Sequence, residues 1–171
     1  DTRSGMREAD TGSWRKGDVF QKAYSGRFFQ MGIAEQNTLG VAAGLATTGF
    51  VPFVSTFVAF AVIRPLDQIR VLIAQTGLSV KICGGYAGLF TGVTGKTHLI
   101  VDDLSIMRAM PGMVTVAPAD DIEASQVLRW AASYDGPVYI RLVRDADLRL
   151  FDEPETFAPR RTVIVRASCV C

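Results

Sequence analysis

The sequence has 171 residues, a length that suits one globular domain. Apolar residues make up 49% of it, which predicts a substantial core rather than disorder. Its 18 basic and 17 acidic residues leave a formal charge of +1 with no block of one sign, which argues against a dedicated nucleic-acid-binding or membrane-surface protein. The 16 glycines predict close helix packing and loops near a ligand, and the single histidine excludes a site built from several histidines.

The three cysteines are too few and too unevenly spaced for a disulfide framework. Cys83 lies in an apolar run, where a buried and reduced thiol is expected, and Cys169 and Cys171 have no further ligands to complete a metal site. No signal peptide and no apolar run of roughly 18 residues is recognisable, so we expect a cytoplasmic protein without a membrane span. A start without Met and an apolar end suggest a fragment, or one part of something larger.

The predicted elements alternate along the chain. Residues 1–17 are polar, Gly-rich and aperiodic, which indicates an irregular arm, and residues 145–171 read as a tail or truncated linker. Helices are predicted at residues 18–25, 34–47, 57–75, 103–110 and 120–133, with Asp18 and Asp120 as caps, Glu123 completing a capping box and Pro65 interrupting the third. Strands are predicted at residues 27–31, 50–56, 78–83, 113–117 and 138–143, with a stray strand at 162–165. Strands separated by helices indicate an α/β fold, a parallel sheet with helices on both faces.

Glu35 stands where this class of fold binds ligands. In open parallel sheets, ligands lie beyond the carboxyl ends of the strands, and Glu35 sits between a predicted strand and an apolar helix. A partly desolvated carboxyl can share or donate a proton near neutrality. An acidic residue in a helix's first turn, favoured by the helix dipole, is the more ordinary explanation of its position alone.

An apolar face follows the second predicted strand. Phe57 and Phe60 are three residues apart and share one side of the predicted helix, which Ile63 continues. Such a face can form a flat wall for an aromatic ring, although simple core packing explains the same spacing.

Residues 84–97 form a long Gly-rich loop, and long loops in compact domains are usually functional or disordered. His98 ends this loop. It is a candidate proton carrier or hydrogen-bond donor to a substrate oxygen, and a structural role in anchoring the loop is an equal alternative.

Charged pairs occur at two further element ends. Asp102 and Asp103 precede a helix, where adjacent carboxylates more often cap the helix than bind a metal. Arg141 and Arg144, near the end of the last strand, are candidates for binding a sugar phosphate or another anion. A strand-end salt bridge is the stronger interpretation for Arg141.

The run Arg27–Asn37 closely resembles the pyrimidine-binding domain of transketolases and deoxyxylulose-phosphate synthases. The resemblance covers roughly residues 18–144, and the ordered set of segments that carries it is highly specific. Further matching segments follow in the same order, at residues 55–60, 97–98, 103–108, 110–113 and 118–120. The resemblance implies a pyrimidine-binding domain over residues 18–144, with the parallel α/β fold of thiamine diphosphate-binding proteins.

The resemblance implies a thiamine diphosphate-dependent transferase that moves a two-carbon ketol unit between sugar phosphates, with the cofactor as electron sink. In that family the glutamate matching Glu35 hydrogen-bonds N1′ of the aminopyrimidine and promotes the imino tautomer, whose N4′ deprotonates C2. Residues matching Phe57 and Phe60 pack against the ring, and Ile63 stands where a third aromatic is often found. The histidine matching His98 faces the reacting carbons and the substrate oxygens.

The departures from the family pattern concern the rest of the active site. No segment resembles the Gly-Asp-Gly…Asn motif that holds the diphosphate and Mg²⁺, so the resemblance implies that a partner subunit or domain binds both. This chain would then supply half of an active site in a homo- or hetero-oligomer. Tyr86 stands where many transketolases have a second histidine, which implies different donor recognition, and Arg144 is the other candidate for binding the substrate.

Two alternatives remain open. The β-subunit of a 2-oxoacid dehydrogenase E1 component has a similar Ala-Glu-Gln segment and fold, and it would decarboxylate a 2-oxo acid; Asn37 and the Thr97-His98…Asp103 pattern favour transketolase. A non-catalytic assembly domain is the second alternative, against which the intact Glu35 and His98 count.

Overall fold

The computed structural model describes residues 4–8, 17–89, 92–144 and 157–159. The strands in this part of the chain are β1 (Ser4–Glu8), β2 (Phe28–Gln30), β3 (Val51–Phe57), β4 (Lys81–Gly85), β5 (Val114–Val116) and β6 (Val138–Arg141). They form one parallel sheet in the order β2-β1-β3-β4-β6-β5. The α-helices are α1 (Gly17–Ala23), α2 (Glu35–Thr47), α3 (Val58–Val62), α4 (Leu66–Gln68), α5 (Asp103–Arg108) and α6 (Asp121–Ser133). A π-helical stretch (Ile69–Ala74) continues α4, and 3-10 turns lie at Ser25–Arg27, Gly92–Thr94 and Lys96–His98.

Helices cover both faces of this sheet, as predicted. Successive residues of a strand point to opposite faces, and Ile82 and Cys83 accordingly belong to two separate core clusters. The cluster that contains Ile82 is filled by α2, α3 and α5, whereas the one that contains Cys83 is filled by α6. Cys83 is buried and is not part of a disulfide, which confirms its prediction.

Two of the predicted helix boundaries are confirmed and one is wrong. Pro65 splits the third predicted helix, since α3 ends at Val62 and Pro65 occupies the N-cap position of α4. Asp120 caps α6 by accepting a hydrogen bond from the Glu123 N–H at 2.8 Å, and Glu123 accepts one from Ala119 N–H at 2.7 Å. Asp18 does not cap α1, because that helix begins at Gly17; Asp18 instead pairs with Lys22 at 3.2 Å.

The prediction of an irregular arm over residues 1–17 is wrong for Ser4–Glu8. These residues form β1, which lies between β2 and β3 and pairs with both. Parallel pairing uses main-chain hydrogen bonds that most residues can make, so the polar, Gly-containing segment joins the sheet without an apolar signature. The strand predicted at 162–165 lies outside the described residues.

Lys81 is a fully buried lysine at the start of β4. Its Nζ donates to Ser79 Oγ at 2.9 Å, to the Tyr134 carbonyl at 2.8 Å and to the Gly136 carbonyl at 2.6 Å. Lys81 therefore ties β4 to the turn between α6 and β6. Burial lowers the pKa of Lys81 from its ordinary 10.5 to about 8, against the opposing effect of nearby Asp135.

This shift predicts a pH dependence of stability. Below pH 8 Lys81 is protonated in both the folded and the unfolded chain, and the cost of burying its charge is fully present. Between about pH 8 and 10.5 the unfolded chain holds more protons, so the contribution of Lys81 to the free energy of unfolding rises with pH. Denaturant unfolding of the wild type and Lys81→Met at several pH values measures this. A wild-type-minus-variant difference that stays constant over the window would contradict it.

Candidate active site

Most of the candidate residues lie just beyond the carboxyl ends of the strands. Glu35 begins α2 after β2, Phe57 is the last residue of β3, Tyr86 directly follows β4, and Arg144 lies three residues after β6. The strands β2 and β3 lie on opposite sides of β1, so the order of the strands reverses there. Open parallel sheets bind ligands at such a switch point. The topology therefore gathers these residues at one edge.

Four rings form an aromatic cluster at this edge: those of Phe57, Phe60, Tyr86 and His98. The Phe57 centroid lies 5.9 Å from Phe60, 4.6 Å from Tyr86 and 5.8 Å from His98, and Phe60 lies 5.1 Å from His98. The contacts of His98 and Tyr86 are edge-to-face, a favourable arrangement of aromatic quadrupoles. His98 is thus joined to the two phenylalanines, although it lies about forty residues further along the chain.

Glu35 is buried at the mouth of an open cleft beside this cluster. The cleft has a volume of about 490 Å³ and is lined by residues 33–37 and Arg64. Only 5% of Glu35 is exposed, and both of its carboxyl oxygens accept hydrogen bonds from Arg64 Nη1, at 3.1 and 3.0 Å. Glu35 also lies in the first turn of α2, where the helix dipole stabilises a negative charge.

Arg64 is a site residue that the sequence did not single out. Its guanidinium carbon lies 4.1 Å from the Phe60 ring centre, a cation–π contact, and its carbonyl accepts a hydrogen bond from Gln36 Nε2 at 3.1 Å. The signal was an arginine within the most apolar segment of the chain, just after the Phe57/Phe60 pair.

Tyr86 adopts a backbone conformation that is rare for residues with a side chain. Its φ is +61°, and it is the sole non-glycine residue with positive φ in the described ranges. Such strain costs about 1–3 kcal/mol and is concentrated at functional sites. Arg144 approaches the Tyr86 ring with its guanidinium carbon 5.7 Å from the ring centre, so the predicted substrate-binding pair is brought together.

Ile63 and Phe57 do not occupy the positions predicted for them on one helix. Phe57 is the N-cap of α3, and Ile63 follows the last residue of that helix with 48% of its surface exposed. The phenylalanine wall therefore forms across a strand–helix junction, and a cofactor contact by Ile63 stays a prediction.

A buried network supports the loop that carries Tyr86 and His98. Asp103 is fully buried, and its Oδ2 accepts from Tyr139 Oη at 2.7 Å and from Arg141 Nε at 2.9 Å. The predicted capping role is therefore wrong for Asp103, because its carboxylate points into the core. The strand-end salt bridge predicted for Arg141 is confirmed.

The base of this loop is closed by the main chain and by Gly84. Ala87 N–H donates to the Leu142 carbonyl, and Gly88 pairs with Ile100. Gly84, predicted to start the loop, belongs to β4; a Cβ there would lie 3.0 Å from Tyr139 Oη. A side chain at residue 84 would therefore crowd the tyrosine that reaches Asp103.

Within the described ranges, His, Cys, Asp and Glu side chains form no group of three or more that could hold a metal ion. The helices found there are too short or too polar to cross a membrane.

Comparison with known proteins gives consistent matches over most of the chain. The family described as "Transketolase, pyrimidine binding domain" matches residues 6–146. A transketolase C-terminal section of Methanocaldococcus jannaschii is 43% identical over 86% of this chain and 47% of its own length. The 6-deoxy-6-sulfo-D-fructose transketolase subunit SqwH of a Clostridium species is 39% identical over 86% of this chain and 46% of its own length. A solved structure described as a split-gene transketolase, inactive β4 tetramer, is 40% identical, with a TM-score of 0.87 over 98% of this chain and 54% of that one.

Fold and site define a parallel α/β domain with a buried carboxylate beside an aromatic wall. The chain belongs to the transketolase pyrimidine-binding domain family, which confirms both the resemblance and the fold class. It spans about half the length of the curated relatives it matches.

Proposed function

We propose that this chain is the pyrimidine-binding half of a thiamine diphosphate-dependent, transketolase-like enzyme that transfers a two-carbon ketol unit between sugar phosphates. The observation that carries the proposal is the buried carboxylate of Glu35 beside the wall formed by Phe57 and Phe60. An aminopyrimidine ring needs these two elements, a carboxyl for a ring nitrogen and an apolar aromatic surface for its face. The residues present therefore fit the pyrimidine end of the cofactor.

When bound, thiamine diphosphate would supply a thiazolium ring whose deprotonated C2 adds to a ketose carbonyl and whose positive charge accepts the electron pair released by carbon–carbon cleavage. Glu35 exchanges a proton with N1′ of the aminopyrimidine, a role that suits a carboxyl with 5% exposure at a helix start. Phe57 and Phe60 pack against one face of the aminopyrimidine ring, fix its orientation and keep water from that face. Ile63 contributes to the same wall from the end of α3.

His98, Tyr86 and Arg144 act on the substrate. Thr97 Oγ1 and His98 Nδ1 share a hydrogen bond at 2.9 Å, which leaves Nε2 to exchange a proton or a hydrogen bond with a substrate oxygen. Arg144 is exposed beside Tyr86, where its guanidinium can pair with a phosphate. We assign donor recognition to this pair.

The diphosphate and its Mg²⁺ are assigned to a partner subunit or domain. This chain has no Gly-Asp-Gly motif, and a related split-gene chain is described as an inactive β4 tetramer. Two relatives are named as subunits or sections of a transketolase, consistent with hetero-oligomeric assembly. We further propose that the assembled enzyme works in the cytoplasm.

The proposal is tested by measuring cofactor binding and ketol transfer with and without a diphosphate-binding subunit. We expect this chain alone to bind thiamine diphosphate and Mg²⁺ at least about a hundredfold more weakly than the assembly, because the charge-assisted diphosphate contacts are missing. Only the assembly should convert a ketose phosphate and an aldose phosphate into products.

Three outcomes would contradict the proposal. Tight calorimetric binding of the cofactor by this chain alone would remove the half-site assignment. Decarboxylation of a 2-oxo acid by the assembly, without ketol transfer, would instead indicate a dehydrogenase E1 component. An assembly that binds cofactor and turns over neither substrate class would favour a non-catalytic domain.

A further inference from the structure

Arg64 contacts both of the groups assigned to the aminopyrimidine ring. Its Nη1 lies 3.1 and 3.0 Å from the carboxyl oxygens of Glu35, and its guanidinium carbon lies 4.1 Å from the centre of the Phe60 ring. A planar ring that hydrogen-bonds Glu35 and packs on this face of Phe60 must enter the volume that the guanidinium fills. Like an aminopyrimidine ring, the guanidinium is planar, and its N–H groups donate hydrogen bonds to carboxylates.

We propose that the Arg64 guanidinium occupies the place of the aminopyrimidine on Glu35 and Phe60 in the free chain and leaves it when the cofactor binds. This inference rests on the proposed function. It adds a residue that competes with the cofactor for the carboxylate of Glu35.

The energetics of Glu35 give the arrangement a physical reason. A buried charge without a partner is costly, and Glu35 is 5% exposed. In the free chain Arg64 supplies the partner and holds both oxygens toward the cleft. The carboxylate is thereby kept in the orientation that a ring nitrogen entering the cleft requires.

The local structure permits Arg64 to leave without unfolding the segment. Its side chain is 45% exposed, so a path to solvent is open. Its main chain is held by the hydrogen bond from Gln36 to its carbonyl and by Pro65, which begins the next helix. Displacement is therefore a rotation of the side chain alone.

The first test measures the Kd of thiamine diphosphate, in the presence of Mg²⁺, for the assembled protein. Removing a competitor strengthens binding, so we expect Arg64→Ala to lower Kd by about two- to fivefold, on the scale of a partly exposed ion pair. Arg64→Gln keeps an N–H donor for Glu35 and protects folding, and it should lower Kd less. Arg70→Ala removes an exposed arginine from the π-helical stretch and should leave Kd unchanged.

The second test follows Arg64 itself by ¹⁵N NMR of its guanidinium in the assembled protein. Without cofactor, pairing with Glu35 should hinder rotation of the guanidinium, so the Nη signals of Arg64 are resolved. When the protein is saturated with thiamine diphosphate, rotation becomes free and these signals average. Weaker binding by Arg64→Ala and Arg64→Gln, or Nη signals that saturation leaves unchanged, would overturn this inference and leave the proposed function intact. Failure of the wild-type assembly to bind thiamine diphosphate would overturn both.

Discussion

Replacing Glu35 with glutamine in the assembled enzyme is expected to slow proton exchange at C2 of the bound cofactor by a factor of about 100 or more. Glutamine has the same length and suits the same buried position, but its amide cannot exchange a proton with N1′. Hydrogen–deuterium exchange at C2, quenched and read by NMR, measures the step directly. Turnover should fall in parallel, because no later step can proceed before C2 loses its proton.

Asp67→Asn provides the matched control, since it removes an exposed carboxylate from the nearby helix α4. Its exchange rate should equal that of the wild type. Near-normal exchange in Glu35→Gln would remove Glu35 from the mechanism and reduce its role to pairing with Arg64.

Asp103→Ala is expected to lower the free energy of unfolding by about 3 kcal/mol or more, because it strands a charge in a buried pair. The Arg141 side chain is only 19% exposed and Asp103 is fully buried, so water has little access to the position of the lost carboxylate. Denaturant unfolding at neutral pH measures the change. The same variant should disturb the loop with Tyr86 and His98, because Arg141 lies against this loop. A Cβ added at Gly88 would be 3.6 Å from Arg141 Nη2.

The adjacent aspartate makes a close control. Asp102 is exposed and its side chain makes no capping hydrogen bond, so Asp102→Ala should change stability by no more than about 0.5 kcal/mol. Tyr139→Phe removes one of the two bonds to Oδ2 and should cost about 1 kcal/mol. Equal stability of the two aspartate variants would contradict the network.

Much of the site could be predicted because its residues lie next to element ends. Phe57 ends a predicted strand, Glu35 and Tyr86 follow predicted strands, and the topology rule for parallel sheets then places all three at one edge. The polar strand β1 could not be found in this way. Its pairing with β2 and β3 depends on main-chain groups that leave no pattern of side chains.

The sequence by itself determined the fold class and the family, and it singled out the candidate acid and aromatic residues, because periodicity and ordered motifs are local properties of a chain. Only the tertiary structure decided which charges meet. Arg64 pairs with Glu35 across 29 positions, and Arg141 pairs with Asp103 across 38. A buried carboxylate can cap a helix, pair with an arginine or remain available to a ligand. Which of these occurs depends on distances of about 3 Å between such remote residues, and no spacing along the chain encodes those distances.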